Sequence, residues 1–170
     1  MMLKTAPVVA RIALSLLLGW VLPAAALEPA VGKVILTISG KVAVQNSPNG
    51  ADFDLAMLEK LPQKTFTTQT PWDKYPVKFT GPLLRDVLAA AKATGSTLNA
   101  VAVNDYRTTI PASDTQNFDM VLAHKMNDQP ISVRTKGPLF IVYPYDSKPE
   151  LKDQAYIDRS AWQLRYLVVD

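Results

Sequence analysis

The sequence predicts a mixed α+β domain with a β-rich core, on three observations. Short apolar stretches bounded by Gly, Pro, Asn and Asp recur from Val34 to Val169, the pattern of strands joined by turns. Helical spacing of apolar residues is confined to two short segments. Those segments are interleaved with the strands instead of being gathered at one end, so the helices pack among sheets and do not form a bundle of their own. No internal repeat and no long linker interrupts residues 27–170, which read as one domain.

Element by element, Val34–Ser39 and Val42–Gln45, joined at Gly40, read as a strand pair, and Asn46–Gly50 as a turn. Asp54 precedes Leu55, Leu58 and Leu61, so its carboxylate is placed to cap a short helix that Pro62 closes. Thr65–Gln69 reads as a strand running into Thr70-Pro71-Trp72. The clearest helix is expected to start at Thr80 as N-cap, with Pro82 in its first turn, where a missing amide does no harm. Leu83, Leu84, Val87, Leu88 and Ala91 form its apolar face, and Gly95 ends it. Strands follow at Leu98–Val103, Met120–Met126, Ile131–Thr135, Leu139–Tyr143 and Leu164–Val169, with a tight turn at Asn127-Asp128. Charged Ser147–Asp153, with Pro149 in it, reads as a solvated loop, and Tyr143-Pro144-Tyr145 as exposed rim aromatics.

Residues 1–26 read as an export signal. Lys4 and Arg11 give it a positive start and Ile12–Val21 an apolar run shorter than the ~20 residues a bilayer span needs. After Pro23, Ala24-Ala25-Ala26 offers a small-residue cleavage site, so a periplasmic protein beginning at Leu27 is expected. An uncleaved membrane anchor is the alternative. The whole chain holds 18 basic and 15 acidic residues; Lys4 and Arg11 leave with the signal, which brings the balance to +1. No basic stripe of the kind nucleic acid requires remains.

Several chemistries are excluded by residue type. The chain has no cysteine, so neither a disulfide nor a thiolate ligand is available. Its one histidine, His124, lies within an apolar strand pattern and reads as a structural residue. A histidine metal cluster or a histidine-based nucleophile triad therefore cannot be assembled. Seven glycines form no phosphate-cradling loop.

Four motifs occur in fixed order: Thr70-Pro71-Trp72; Asn104-Asp105-Tyr106 followed by Ile110-Pro111; Leu122-Ala123 with Met126-Asn127-Asp128; and Lys136-Gly137-Pro138 followed by Tyr143-Pro144. With the tail Trp162-Gln163-Leu164-Arg165, this order resembles the molybdopterin-binding domain of the sulfite oxidase family over about residues 34–169. The resemblance implies a sulfite-oxidase-type fold of β-rich mixed sheets with a few short helices. It also places Thr70 where related enzymes carry the cysteine that holds molybdenum. A threonine hydroxyl is a weak neutral ligand and does not replace a soft thiolate.

Pterin binding without molybdenum follows from the resemblance together with that loss. Trp72 offers a flat face for stacking on a bicyclic ring, or it fills the core beneath its loop. Asp105, with Asp114 as its rival, is suited to accept from the exocyclic amine and ring nitrogen of a pterin edge, or it makes a local turn bond. Asn104 and Tyr106 flank it, the tyrosine with a face or a hydroxyl to give. Arg159 and Trp162 join them as groups for anions and stacked rings, while Arg165 reads equally well as solvated. The small exported proteins this chain resembles bind a reduced, monapterin-like pterin. They act on the periplasmic domain of a membrane diguanylate cyclase or phosphodiesterase, or on a sensor, that controls cyclic di-GMP. By that resemblance the protein is a non-catalytic binder and relay. The alternative is a molybdopterin-dependent oxidoreductase that lacks the cysteine metal ligand.

Overall fold

The computed structural model describes residues 27–170, so the export signal expected over residues 1–26 lies outside the described residues. Two main sheets and a two-stranded ribbon carry the domain. In the first sheet, β1 (Leu36–Gly40) lies between β2 (Ala51–Phe53) and β11 (Leu164–Val169). β11 in turn pairs with β5 (Thr97–Ala102), and β5 with β6 (Arg107–Pro111). Only β1 and β11 run parallel, with Thr37 opposite Tyr166 and Gly40 opposite Val169; the other pairings are antiparallel. The period of two sorts the faces: Leu36, Ile38, Leu98, Ala100, Leu167 and Val169 are buried, while Tyr166 on the other face is exposed.

The second sheet is antiparallel throughout, in the order β3 (Gln63–Thr68), β4 (Val77–Pro82), β8 (Lys125–Met126) and β9 (Gln129–Pro130). β7 (Val121–Ala123) pairs with β10 (Phe140–Val142) to form the ribbon. β4 passes so close to β7 that a Cβ on Gly81 would lie 2.0 Å from the Leu122 carbonyl oxygen, which only glycine avoids. The helices are short: α1 (Leu55–Lys60), α2 (Leu84–Ala90), α3 (Asp114–Asn117) and α4 (Gln154–Arg159). The α+β, β-rich class read from the sequence is the class observed.

Local signals were obeyed where nothing competed with them. Asp54 caps α1, accepting from the Met57 amide at 2.9 Å. Its other oxygen takes the Val31 and Gly32 amides at 3.0 and 2.7 Å, and these bonds, Gly32 foremost, hold its carboxyl below the usual range. The apolar face of α2 is also as expected, with Leu84, Val87, Leu88 and Ala91 buried.

Other expectations are corrected by tertiary pairing. Thr80, expected to cap α2, belongs to β4, where it lies opposite Thr65 and Lys125, so the cap position falls three residues later at Leu83 and α2 starts at Leu84. Val42–Gln45 forms no strand, because both edges of β1 are already taken by β2 and β11. Gly40 turns the chain at φ 84°, and the Ala43 and Val44 amides donate to Lys92 and Ala91 at the end of α2 instead. Ile131–Thr135 is a turn in which the Ser132 carbonyl accepts from Thr135 and Gly137. The stretch expected as one strand over Met120–Met126 divides into β7 and β8 at His124. Tyr143 and Tyr145 are not rim aromatics but fully buried core residues. Ser147–Asp153 contains a 3-10 turn over Pro149–Lys152, anchored by buried Leu151.

Candidate functional site

The loop after β3 is fixed at both ends by hydrogen bonds. The Thr68 hydroxyl and the Gln69 amide donate to Asp146 at 3.2 and 2.7 Å, which ties the end of β3 to the segment beyond β10. Chiefly through the Gln69 amide, the Asp146 carboxyl is held below its usual range. Thr70 follows, 2% exposed. Its hydroxyl donates to Asp73 at 2.6 Å, and the Lys136 ammonium donates to both oxygens of the same carboxylate at 2.8 and 2.7 Å. The Trp72 amide donates to the Thr70 oxygen at 3.3 Å. Both capacities of the Thr70 hydroxyl, donor and acceptor, are thus used inside the protein.

This knot holds Trp72 against Trp162, with ring centroids 5.0 Å apart and planes at 90°. Phe140 touches both, at 5.9 and 6.0 Å, and Tyr145 lies edge-on to Trp72 at 6.3 Å. Edge-to-face stacking of this kind adds about 0.5–1.5 kcal/mol per pair beyond area burial and fixes the angle between the rings. The two indoles form a corner of a pocket of about 220 Å³. Asn104 and Tyr106, on the turn between β5 and β6, line a second side. Gln154, Ile157 and Asp158 of α4, with Ser160 just beyond it, line a third. The Tyr106 hydroxyl donates to the Asp158 carbonyl at 2.8 Å and so ties the turn to α4. The Asp158 carboxylate accepts from Gln154 at 2.7 Å. The space is below the ~300 Å³ at which drug-sized pockets begin, and its lining divides about evenly between the apolar faces of the indoles and polar groups.

Of the residues the sequence singles out, Trp72, Asn104, Tyr106 and Trp162 therefore line one pocket, and Thr70 lies beneath its tryptophan wall. Asp105, Asp114 and Arg159 do not line it. Asp105 occupies the centre of the turn with φ 64°, its amide donating to the Ala102 carbonyl, and it faces a separate, larger cleft of about 820 Å³. A left-handed residue turns its side chain away from its neighbours' side, and Asp is one of the few types that tolerate it. Asp114 is 5% exposed and accepts from the Tyr143 hydroxyl at 2.7 Å and from Arg159 at 2.9 Å. The pair braces α3 against α4, and burial together with the Asp114 bond pushes the Tyr143 hydroxyl pKa far up.

Gln154, Ile157, Asp158 and Ser160 were not found from the sequence, because α4 itself was not. The available signal was Asp153, a helix-start residue shortly after Pro149, ahead of Tyr156-Ile157. His124 is buried as expected, with Nε2 2.9 Å from the Gln63 amide oxygen. Burial lowers its pKa, partly opposed by Glu59. Among the described residues no group of His, Asp and Glu is arranged to hold a metal ion. The oxygen at Thr70 is neutral and engaged, and its carboxylate neighbour is already neutralised by an ammonium, so the donor set does not fit molybdenum.

No curated protein matches the chain in sequence. The family model described as "Oxidoreductase molybdopterin binding domain" matches residues 56–146, more than half of the chain. That span includes Thr70, Trp72, the Asn104-Asp105-Tyr106 turn and Lys136, with α4 and Trp162 beyond it. With that match over more than half its length and its β-rich α+β architecture, the chain belongs to the oxidoreductase molybdopterin-binding domain family.

Proposed function

We propose that this protein is an exported, non-catalytic pterin-binding protein that relays the level of a reduced, monapterin-like pterin to a membrane enzyme controlling cyclic di-GMP. One observation carries the binding half of the reading: the Trp72–Trp162 corner lies beside a threonine whose hydroxyl is spent on the Asp73–Lys136 pair. The pocket offers a ring everything it needs, while the neighbouring position offers a metal nothing. In this reading Trp72 and Trp162 pack on the pterin, Asn104 and Tyr106 close over it, and the Asp158 carboxylate takes the exocyclic amine and ring nitrogen. Asp158 replaces Asp105 in that role because it is the carboxylate on the pocket wall. The relay half rests on the resemblance in the sequence and on the export expected from residues 1–26. Its mechanism is a difference in affinity of the ligand for two states of the protein surface.

Identification of what co-purifies with protein taken from its own periplasm tests the reading. A pterin without molybdenum is expected. Near-stoichiometric molybdenum would favour the oxidoreductase that holds its cofactor by the pterin alone. Thr70→Cys adds a second arm. A thiol there replaces the hydroxyl that donates to Asp73, but the partners and basic groups that grip a metal cofactor and its phosphate are not supplied by one substitution. The variant is therefore expected to gain neither molybdenum nor turnover on sulfite or a sulfoxide. Turnover would make the parent a disabled enzyme.

A further inference from the structure

The larger cleft, on the outer face of the five-stranded sheet, is chemically unlike the pocket. Its walls are mainly apolar, and three cations, Lys33, Arg107 and Arg165, face it with Asp105 as the sole carboxylate. Three of the large apolar side chains that the described surface leaves wet lie here: Val103 and Val133, each 62% exposed, and Tyr166, 45% exposed. Arg165 stacks over the Tyr166 ring at 4.9 Å, and its Nη1 is buried with no hydrogen-bond partner among the described residues. A charged donor left buried and unpaired is costlier than a neutral one. Arg165 also forms no ion pair among the described residues, so a carboxylate that enters the cleft supplies the counter-charge its guanidinium lacks. Residues 1–26 contain no Asp or Glu and so cannot supply a carboxylate.

We infer that this cleft is the docking surface for a protein partner that presents a carboxylate flanked by apolar side chains, the carboxylate seating on Arg165 and the apolar groups covering Val103, Val133 and Tyr166. The width of the exposed apolar rim favours a protein over a small anion, which would fill the cleft floor and leave Val103 and Val133 in water. Arg and Tyr at its centre are the residue types that dominate binding energy at interfaces.

The inference rests on the relay reading and gives it a physical route. Along one turn the side chains alternate between sites: Asn104 and Tyr106 face the pocket, and Val103, Asp105 and Arg107 face the cleft. A second link is Gln163, held in the left-handed region at φ 52° between pocket-lining Trp162 and cleft-lining Arg165. Its carbonyl accepts from the Val103 amide at 2.8 Å, its amide donates to Lys136, and its side chain donates to the Val133 carbonyl at 2.9 Å. A ligand that shifts Trp162 or Tyr106 thus acts on residues whose neighbours form the docking surface.

The test places a photo-crosslinking amino acid at Val133 in the exported full-length protein in its own cells, with the same group at Tyr75, 68% exposed and outside both sites, as control. The expected result is a Val133 adduct with one protein whose crosslinked segment is acidic. Its yield should fall by roughly tenfold or more in Arg165→Glu and in Arg107→Glu, because a rim or seated charge is reversed. Changing the captured acid to lysine should restore yield with Arg165→Glu. Absence of an adduct, an adduct only with a second copy of this chain or with lipid, equal yield from Tyr75, or a yield indifferent to both charge reversals each overturns the docking surface. Pterin titration by tryptophan fluorescence on the same proteins separates the two readings. Capture that depends on Arg165 but ignores pterin leaves the surface standing and ends the relay, whereas pterin binding without capture does the reverse.

Discussion

The Trp72 pocket and the Arg165 cleft share a turn, yet they are built on opposite principles. Around the pocket the polar groups are largely paired within the protein: Thr70 with Asp73, Asp73 with Lys136, the Tyr106 hydroxyl with the Asp158 carbonyl, and one Asp158 oxygen with Gln154. In the cleft a guanidinium nitrogen is buried without one, and apolar side chains stand in water. A site satisfied in itself keeps its shape and selects by fit; a site left unsatisfied is completed only by what binds there. The first arrangement suits recognition of a rigid ring, the second a partner that brings charge and area together.

The largest effect should come from breaking the pocket's self-sufficiency. Lys136→Met leaves Asp73 unpaired, and since these two side chains are 19% and 22% exposed, the cost should lie near the low end of the ~3–5 kcal/mol seen for broken buried pairs. Urea denaturation measures it; an unchanged midpoint would mean the pair is merely a surface contact. A smaller, sharper effect belongs to Asp158→Asn, which should weaken reduced-pterin binding by about ten- to a hundredfold, from ~1.5–3 kcal/mol for a charge-assisted bond. Asp105→Asn should leave that affinity within about twofold, since its carboxylate faces the other site. The reverse ranking in a fluorescence titration would exchange the two sites' roles.

The smallest effect separates folding from both sites. Neither is lined by a histidine, and the sole histidine, His124, sits buried beside Gln63. Burial holds its folded pKa below the ordinary 6.5, so the unfolded chain takes up the proton first as pH falls. Its contribution to stability is complete above about pH 6.5 and is lost on descending through the folded pKa. His124→Gln should remove this slope from the pH dependence of the unfolding midpoint and leave pterin affinity over the same range untouched. A slope that persists must arise from other groups.

How far the sequence could be read depends on how local each cause is. Asp54 acts on an amide three residues away and was legible as a cap. Thr80 carries the same chemistry, but β4 pairs on both sides through it, and two ladders outweigh one capping bond. The helical face of α2 survived this error because periodicity is independent of the starting residue. Trp72 and Trp162, ninety residues apart, were brought together only by a resemblance, since nothing in either neighbourhood points at the other. Asp105 and Asp158 have the same side chain, and what separates their positions is a positive φ at one and a helix at the other. The 3-10 turn and α4 were missed because Ser147–Asp153 is charged, and a single buried apolar residue, Leu151, was enough to order it.

The place of β11 in the first sheet bears on when the protein can fold. β11 comes last among the described strands in chain order, yet it lies in the middle, between β1 and β5. Until residues 164–169 are made, β1–β2 and β5–β6 are separate two-stranded ribbons with both edges open, and such ribbons are marginal in water. Closing the sheet then joins Thr37 to Tyr166 across nearly the whole chain, a contact order that slows folding. The native sheet therefore cannot exist until β11 has been made, and the strands that precede it have only their hairpin partners to hold them.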